Sequence, residues 1–241
     1  MQNRYAGDIG DFGKFGLLKA IEGQNLKVGV NWYLTEPIDE KEKMKNDGKH
    51  GIKEKFKSCD EELFGKLDNV FKLHEKRNVK SIENENPLNN AIYYSIPINI
   101  DNREKWHNGA LKELKKCKVV FLDPDNGLEV ESAKGSKKKL TKYVLINEIK
   151  SYINDGKSVV LYNHRPRRDM CEYFKELFSK IKKATGVDPF SISFHRGTVR
   201  DYIIIPFDDE HKEKLLKARN CMLDTDSNWR KMKLCQLDYG N

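Results

Sequence analysis

The most concentrated set of chemically useful groups is the turn Asp123-Pro124-Asp125-Asn126-Gly127. Carboxylate and amide oxygens are the ligands that Mg²⁺ and Mn²⁺ prefer, and the same groups can accept hydrogen bonds from an exocyclic amine. An ordinary Asx-type turn that only closes a strand would use the same residue types. Ligands of open α/β sheets bind at the carboxyl ends of strands, so we interpret this turn as the centre of a candidate site. Its candidate catalytic residues are Asp123, Asp125 and Asn126.

A second polar cluster follows another apolar run, at residues 162–168 (Tyr-Asn-His-Arg-Pro-Arg-Arg). Arginine forks bind phosphate in a bidentate manner, which makes Arg165, Arg167 and Arg168 candidate substrate-binding residues. The reference pKa of histidine lies near neutrality, so His164 is a candidate general acid or base. The alternative is that the arginines only solvate the following helix, although cations at a helix N-terminus oppose its dipole.

The chain opens on a glycine-rich stretch, residues 5–16 (Tyr-Ala-Gly-Asp-Ile-Gly-Asp-Phe-Gly-Lys-Phe-Gly). Glycine is unfavourable inside a helix, so its repetition indicates a close backbone approach or a capped turn. We predict that Asp11 is the N-cap of the first helix. No Gly-Lys-Ser/Thr sequence follows, so the stretch is not a phosphate-binding P-loop.

A strand, helix, strand unit must position the acidic turn. The apolar, β-branched runs 118–122 and 158–163 predict buried strands, and apolar residues at helical spacing in 141–154 predict the helix between them. Parallel strands joined in this way require a right-handed crossover.

The remaining pattern sets the fold class. We predict further strands at 27–34, 91–96, 190–194 and 201–206, and further helices at 11–22, 168–185 and 209–222. The short connection after residue 194 permits only an antiparallel hairpin, and Arg196 at its tip is a further candidate for substrate contact. Parallel units that end in such a hairpin predict a Rossmann-like, methyltransferase-type, doubly wound α/β sheet that is mostly parallel.

Length and composition are consistent with one large domain, which we place at residues 1–241. The polar, asparagine-rich segments 35–56 and 79–90 lack periodicity, so we expect loop insertions there. Five cysteines without a CxxC pair indicate neither a disulfide framework nor a zinc ribbon.

The formal net charge of +8 is compatible with a polyanionic partner such as a nucleic acid or a nucleotide. The same lysine- and asparagine-rich composition would arise in any protein from an AT-rich genome. No stretch approaches the ~20 apolar residues of a membrane span, and the first residues lack the apolar core of a signal peptide. We therefore expect a cytoplasmic protein without a membrane partner.

Two motifs together resemble the bacterial 23S ribosomal-RNA adenine-N6 methyltransferases. The first is Tyr5-x-Gly-Asp-x-x-Asp-x-x-Lys-x-x-x-Leu18, and the second is the Asp-Pro turn after the run Val-Phe-Leu, residues 120–126. The resemblance implies S-adenosylmethionine as the methyl donor. It also implies that Asp8, Asp11 and Lys14 line the cofactor and substrate pocket, and that Asp123 faces the reactive centre.

The chain departs from that family at defined positions. The segment after the first predicted strand reads Leu-Thr-Glu-Pro-Ile-Asp (34–39) where the family has a glycine-rich turn, so Glu36 is the candidate cofactor contact there. Asp125 replaces the second proline of the family's catalytic turn, and Asn126 replaces the aromatic residue that stacks on adenine.

Three functions therefore remain open. The first is a methyltransferase-like protein that acts on a nucleic acid or a nucleotide. The second is a nuclease or phosphodiesterase in which Asp123, Asp125 and Asp8 or Asp11 hold Mg²⁺ or Mn²⁺ while His164 acts as general base. The third is a catalytically inactive module that binds nucleic acid (RNA or DNA) or a protein partner through the same cleft.

Overall fold

A mixed seven-stranded sheet forms the centre of the fold in the computed structural model, which describes residues 1–35, 50–196 and 198–237. Numbered among the described residues, the strands are β1 (Val28–Asn31), β2 (Ile92–Tyr94), β3 (Val119–Leu122), β4 (Gly127–Leu128), β5 (Tyr143–Val144), β6 (Ser158–His164), β7 (Phe190–Arg196), β8 (Thr198–Ile205) and β9 (Cys235–Gln236). The strand order in the large sheet is β2-β1-β3-β6-β8-β7-β9, and β4 and β5 form a separate parallel pair.

The strand directions confirm the predicted fold class. Strands β2, β1, β3 and β6 are parallel neighbours, so their carboxyl ends share one edge of the sheet. Strand β8 lies between β6 and β7 and is antiparallel to both, as a hairpin connection requires. The result is a Rossmann-like α/β sheet, mostly parallel, with an antiparallel end.

Helices cover both faces of the sheet. They are α1 (Ile9–Glu22), α2 (Glu61–Phe71), α3 (Val79–Glu85), α4 (Arg103–Glu113), α5 (Glu131–Lys134), α6 (Lys137–Leu140), α7 (Ile146–Asn154), α8 (Met170–Thr185), α9 (Asp209–Leu223) and α10 (Asn228–Lys231). Short 3-10 helices span Asn3–Tyr5, Glu54–Cys59, His74–Lys76 and Leu114–Lys116. No helix in the described part of the chain is long and apolar enough to cross a membrane.

The alternation of side chains along the strands separates two apolar cores. Val119 and Phe121 of β3 pack with α1, α2, α3, α9 and α10, whereas Val120 and Leu122 pack with α4, α7 and α8. Successive side chains of a strand point to opposite faces, so one short apolar run supplies both cores.

Several predicted elements require correction. Segment 79–90 was expected to be a loop, but it contains α3, whose only two buried side chains gave no readable periodicity. The other predicted loop, segment 35–56, is described only in part, because residues 36–49 lie outside the described residues. Its last three residues belong to the 3-10 helix that begins at Glu54. The helix predicted at 141–154 starts five residues later, because residues 143–144 form β5.

Candidate functional site

A cavity of about 460 Å³ opens at the carboxyl edge of the parallel strands. Its wall is formed by Met1, Gln2, Arg4, Tyr5, Asp8, Gly10, Lys14, His50, Asp123, Pro124, Asp125, Asn126, Lys142, Tyr162, His164, Thr198 and Arg200. The opening of α1, the acidic turn after β3 and the end of β6 therefore face one space, as expected for ligand sites in open α/β sheets.

The start of α1 is fixed by two aspartates with different tasks. Asp8, not Asp11 as predicted, is the N-cap: its Oδ1 accepts hydrogen bonds from the backbone N–H groups of Gly10 at 2.7 Å and Asp11 at 3.2 Å. Asp11 instead accepts a hydrogen bond from Gly7 N–H at 2.8 Å through Oδ2. Gly7 has φ +77°, a conformation that side chains rarely adopt, so a glycine is required there.

Lys14 joins the opening of α1 to the acidic turn. Its Nζ donates to Asp11 Oδ1 and to Asp123 Oδ2, each at 2.6 Å, and all three side chains are buried. The ammonium also lies 5.0 Å from the ring centre of Trp32. Burial alone would lower the pKa of Lys14, but the two carboxylates raise it, so the lysine stays charged.

The two carboxylates of the turn have different environments. Burial raises the pKa of Asp123, and Lys14 only partly offsets this. Partial burial raises the pKa of Asp125 as well, but the Met1 ammonium at 2.9 Å from Oδ1 and Gln2 Nε2 at 2.8 Å from Oδ2 outweigh it and keep the pKa below the usual value. Asp125 is thus an ionised, fully engaged carboxylate.

Backbone contacts hold the turn against its neighbours. The His164 N–H donates to the Asn126 carbonyl at 3.0 Å, and the Asn126 N–H donates to the Lys142 carbonyl at 3.0 Å. Gly127 has φ +119°, and a Cβ there would lie only 2.3 Å from Asn163 Oδ1. The turn is therefore closely fixed, with the half-buried Asn126 side chain at the cavity wall.

Asp8 has an unusual protonation equilibrium for an aspartate. Burial, and then the nearby charge of Asp11, raise its pKa to about 6, although Arg200 and Lys14 act in the opposite direction. Both hydrogen bonds to Asp8 within the described residues reach Oδ1. Oδ2 can therefore accept a bond from a cationic ligand group in the cavity.

Sequence reasoning missed Tyr162 and Arg200 as site residues. Burial raises the pKa of Tyr162 to about 12, so it remains a neutral phenol. Arg200 lies directly opposite His164 in the β6–β8 pairing, and both line the cavity. Arg200 lies two residues before the buried Tyr202, so the period of a strand places both on the same face of the sheet. That pattern alone did not show that Arg200 lies next to His164, because this requires the pairing register of β6 and β8.

The four predicted substrate-binding arginines do not line the cavity. Arg165 forms a bidentate pair with Asp201 at 2.8 and 2.7 Å, and Arg168 pairs with Glu176 at 2.7 Å.

Arg196 donates to the carbonyls of His195 and Met232, each at 2.8 Å, and Arg167 is exposed. The predicted cofactor contact Glu36 lies outside the described residues.

The carboxylates do not converge as a cation site would require. The ammonium of Lys14 occupies the position between Asp11 and Asp123, and Asp125 is directed to a different cation. Within the described ranges, no group of three or more His, Cys, Asp or Glu side chains is placed to hold a metal ion.

Comparison of the chain with protein-family models, with curated proteins and with solved structures finds no match.

Proposed function

We propose that this protein is a methyltransferase-like enzyme that binds a nucleotide, free or within a nucleic acid, in the cavity at the carboxyl edge of the sheet. One observation carries the proposal. Lys14 and Asp123 are 109 residues apart in the chain and belong to the two motifs on which the family resemblance rests. The Lys14 bridge between Asp11 and Asp123 joins these two motifs at a single cavity.

The cavity residues fit S-adenosylmethionine in charge. When bound, this cofactor supplies a methyl group on a cationic sulfur, and it also carries an ammonium group. Asp8 offers a buried carboxylate whose Oδ2 is available to such a cation. Lys14 and Asp11 neutralise each other, so we assign them to fixing the geometry and assign the donor contact to Asp8.

The acceptor would lie against the turn after β3. Asn126 at the cavity wall offers both an amide donor and an acceptor to a base. Asp123, held by Lys14, fixes the position of the turn and can accept a hydrogen bond from an amine through Oδ1. Methyl transfer needs little acid–base assistance, because alignment of donor and acceptor supplies most of the rate.

The metal-dependent nuclease is the weaker alternative. A metal ion between Asp11 and Asp123 would have to displace the buried Lys14 ammonium from two contacts of 2.6 Å. Removal of one partner from a buried ion pair costs about 3–5 kcal/mol.

Calorimetry with S-adenosylmethionine, and separately with Mg²⁺ and Mn²⁺, tests the proposal. We expect heat from the methyl donor, and transfer of a radiolabelled methyl group to RNA, DNA or a nucleotide pool. Asn126→Ala should abolish transfer, whereas Asp101→Asn, at an exposed carboxylate that does not line the cavity, should retain it. Heat from the metals alone, with hydrolysis of nucleic acid, would contradict the proposal.

A further inference from the structure

The side chains of Arg200 and His164 are neighbours at the wall of the cavity. They are direct cross-strand partners in the antiparallel β6–β8 pairing, so both project from the same face of the sheet. Tyr162 and Tyr202 pair in the same way two residues further in. A guanidinium and a neutral imidazole both carry N–H donors, so an anion between these two side chains could accept hydrogen bonds from both.

The guanidinium of Arg200 is positioned but not neutralised by a direct ion pair. Its Nη1 donates to the carbonyls of Arg196 at 2.6 Å and Thr198 at 3.1 Å, and its Nε lies 2.9 Å from where a Cβ on Gly10 would stand. Asp8 acts on it electrostatically, but no ion pair joins them within the described residues. Nε and Nη2 can therefore donate to a ligand.

A second arginine at the same sheet edge shows the contrast. Arg165 donates through Nε and Nη2 to both carboxylate oxygens of Asp201 and also to Ser193. That fork is fully used in holding β6, β7 and β8 together. Arg200 has no such carboxylate partner among the described residues, and it lines the cavity.

His164 complements Arg200. Its imidazole makes no hydrogen bond in the described part of the chain, and it is exposed at the cavity mouth. Burial of part of the ring and the charge of Arg200 both lower its pKa. An oxyanion placed between the two side chains would accept hydrogen bonds from both.

We infer that Arg200 and His164 bind a phosphate oxyanion of the substrate. This assignment rests on the proposed function for the identity of the ligand, a nucleotide. A planar guanidinium fork matches a phosphate in a bidentate manner. The phosphate can belong to a mononucleotide or to a polynucleotide strand.

The test compares ligands that differ by one phosphate, without a methyl donor. Calorimetry would use adenosine, adenosine 5′-monophosphate, inorganic phosphate and short single-stranded RNA and DNA oligonucleotides. We expect the monophosphate or the oligonucleotide to bind at least about tenfold more tightly than adenosine. A preference for the oligonucleotide over the monophosphate would identify a strand phosphate as the source.

Arg200→Gln should remove that phosphate-dependent difference and leave adenosine binding unchanged. His164→Asn, at an exposed position, should weaken phosphate binding in the same direction. Arg230→Gln removes an exposed arginine of α10 that does not line the cavity, and should leave the difference intact.

Circular dichroism would confirm that the variants are folded. Equal affinity of the wild type for adenosine and for every phosphate-bearing ligand would overturn the assignment, as would equal losses in Arg200→Gln and Arg230→Gln. If the wild type binds phosphate-bearing ligands more tightly than adenosine but transfers no methyl group, only the proposed function is contradicted. The two failures are therefore distinguishable.

Discussion

At the scale of single residues, Lys14 determines the geometry of the cavity. Three buried charged groups, one positive and two negative, are joined by two contacts of 2.6 Å, and Asp11 also accepts a hydrogen bond from the Gly7 N–H. Such a cluster stabilises the fold only while it is complete, because removal of one partner leaves an uncompensated buried charge.

Lys14→Met should therefore lower the free energy of unfolding by about 3–5 kcal/mol, because it leaves Asp11 and Asp123 facing each other without a cation. Urea denaturation at neutral pH would measure the loss. Lys19→Met, on the same helix but in a half-buried pair with Asp60, should cost less than about 1 kcal/mol. Equal losses in the two variants would contradict the assignment.

Asp8 predicts a specific pH dependence. Its folded-state pKa of about 6 lies above its usual value of 3.8, so the native state binds this proton more tightly than the unfolded state. The contribution of Asp8 to stability therefore falls as the pH rises through the interval between those values.

Asp8→Asn keeps an N-cap acceptor but removes the proton equilibrium. From pH 4 to pH 6 the unfolding free energy of the wild type should fall relative to that of Asp8→Asn, and above pH 6 the difference between the two proteins should level off. Denaturation series across this range would measure it. A difference that is constant with pH would show that Asp8 titrates normally.

At the scale of elements, α1 reaches its position because glycines face its neighbours. A Cβ on Gly13 would lie 2.5 Å from the ring of Phe194 in β7, closer than atoms can approach. The glycine-rich opening, which the sequence analysis linked to close backbone approach, thus packs α1 directly on the sheet and brings Lys14 to the strand ends.

Gly13→Ala should destabilise the protein by about 1–3 kcal/mol through this overlap, despite the better helix propensity of alanine. The matched control is Gly65→Ala in the middle of α2, where a Cβ meets nothing within 4 Å. That variant should be more stable than wild type by about 0.5–1 kcal/mol. Thermal and urea unfolding would compare them, and a stabilising Gly13→Ala would contradict the close packing.

At the scale of the whole molecule, one sheet separates two cores. Trp32 and Trp229 belong to the core beneath α1 and α9, and Trp106 belongs to the core on the opposite face. Strands β3, β6 and β8 each contribute side chains to both cores, so loss of one core removes the support of the other.

We therefore expect the two cores to unfold together. Fluorescence of Trp106→Phe reports the first core, and fluorescence of the double variant Trp32→Phe, Trp229→Phe reports the second. After correction for the stability of each variant by circular dichroism, each fluorescence midpoint should coincide with the dichroism midpoint of the same protein. Separate transitions would show that the faces fold independently.

The sequence by itself determined the parallel centre of the sheet, the antiparallel hairpin and the position of the acidic turn at the carboxyl end of a central strand. These follow from local signals: short β-branched runs, the Asp-Pro turn, and a connection too short for a crossover. It misplaced the N-cap at Asp11, because Asp8 and Asp11 are equally suitable caps until the path of the preceding chain is known. It also missed α3, because a helix with two apolar residues has no visible period.

Only the tertiary structure decided which charged side chains face the cavity and which neutralise one another. Arg165 and Arg200 are the same residue type at the same sheet edge, yet Asp201 engages the first and the cavity receives the second. Their partners come from other strands, and the pairing register that fixes them depends on packing across the whole sheet. Residue type sets the chemistry that a side chain can perform, whereas long-range contacts determine whether that chemistry is available to a ligand.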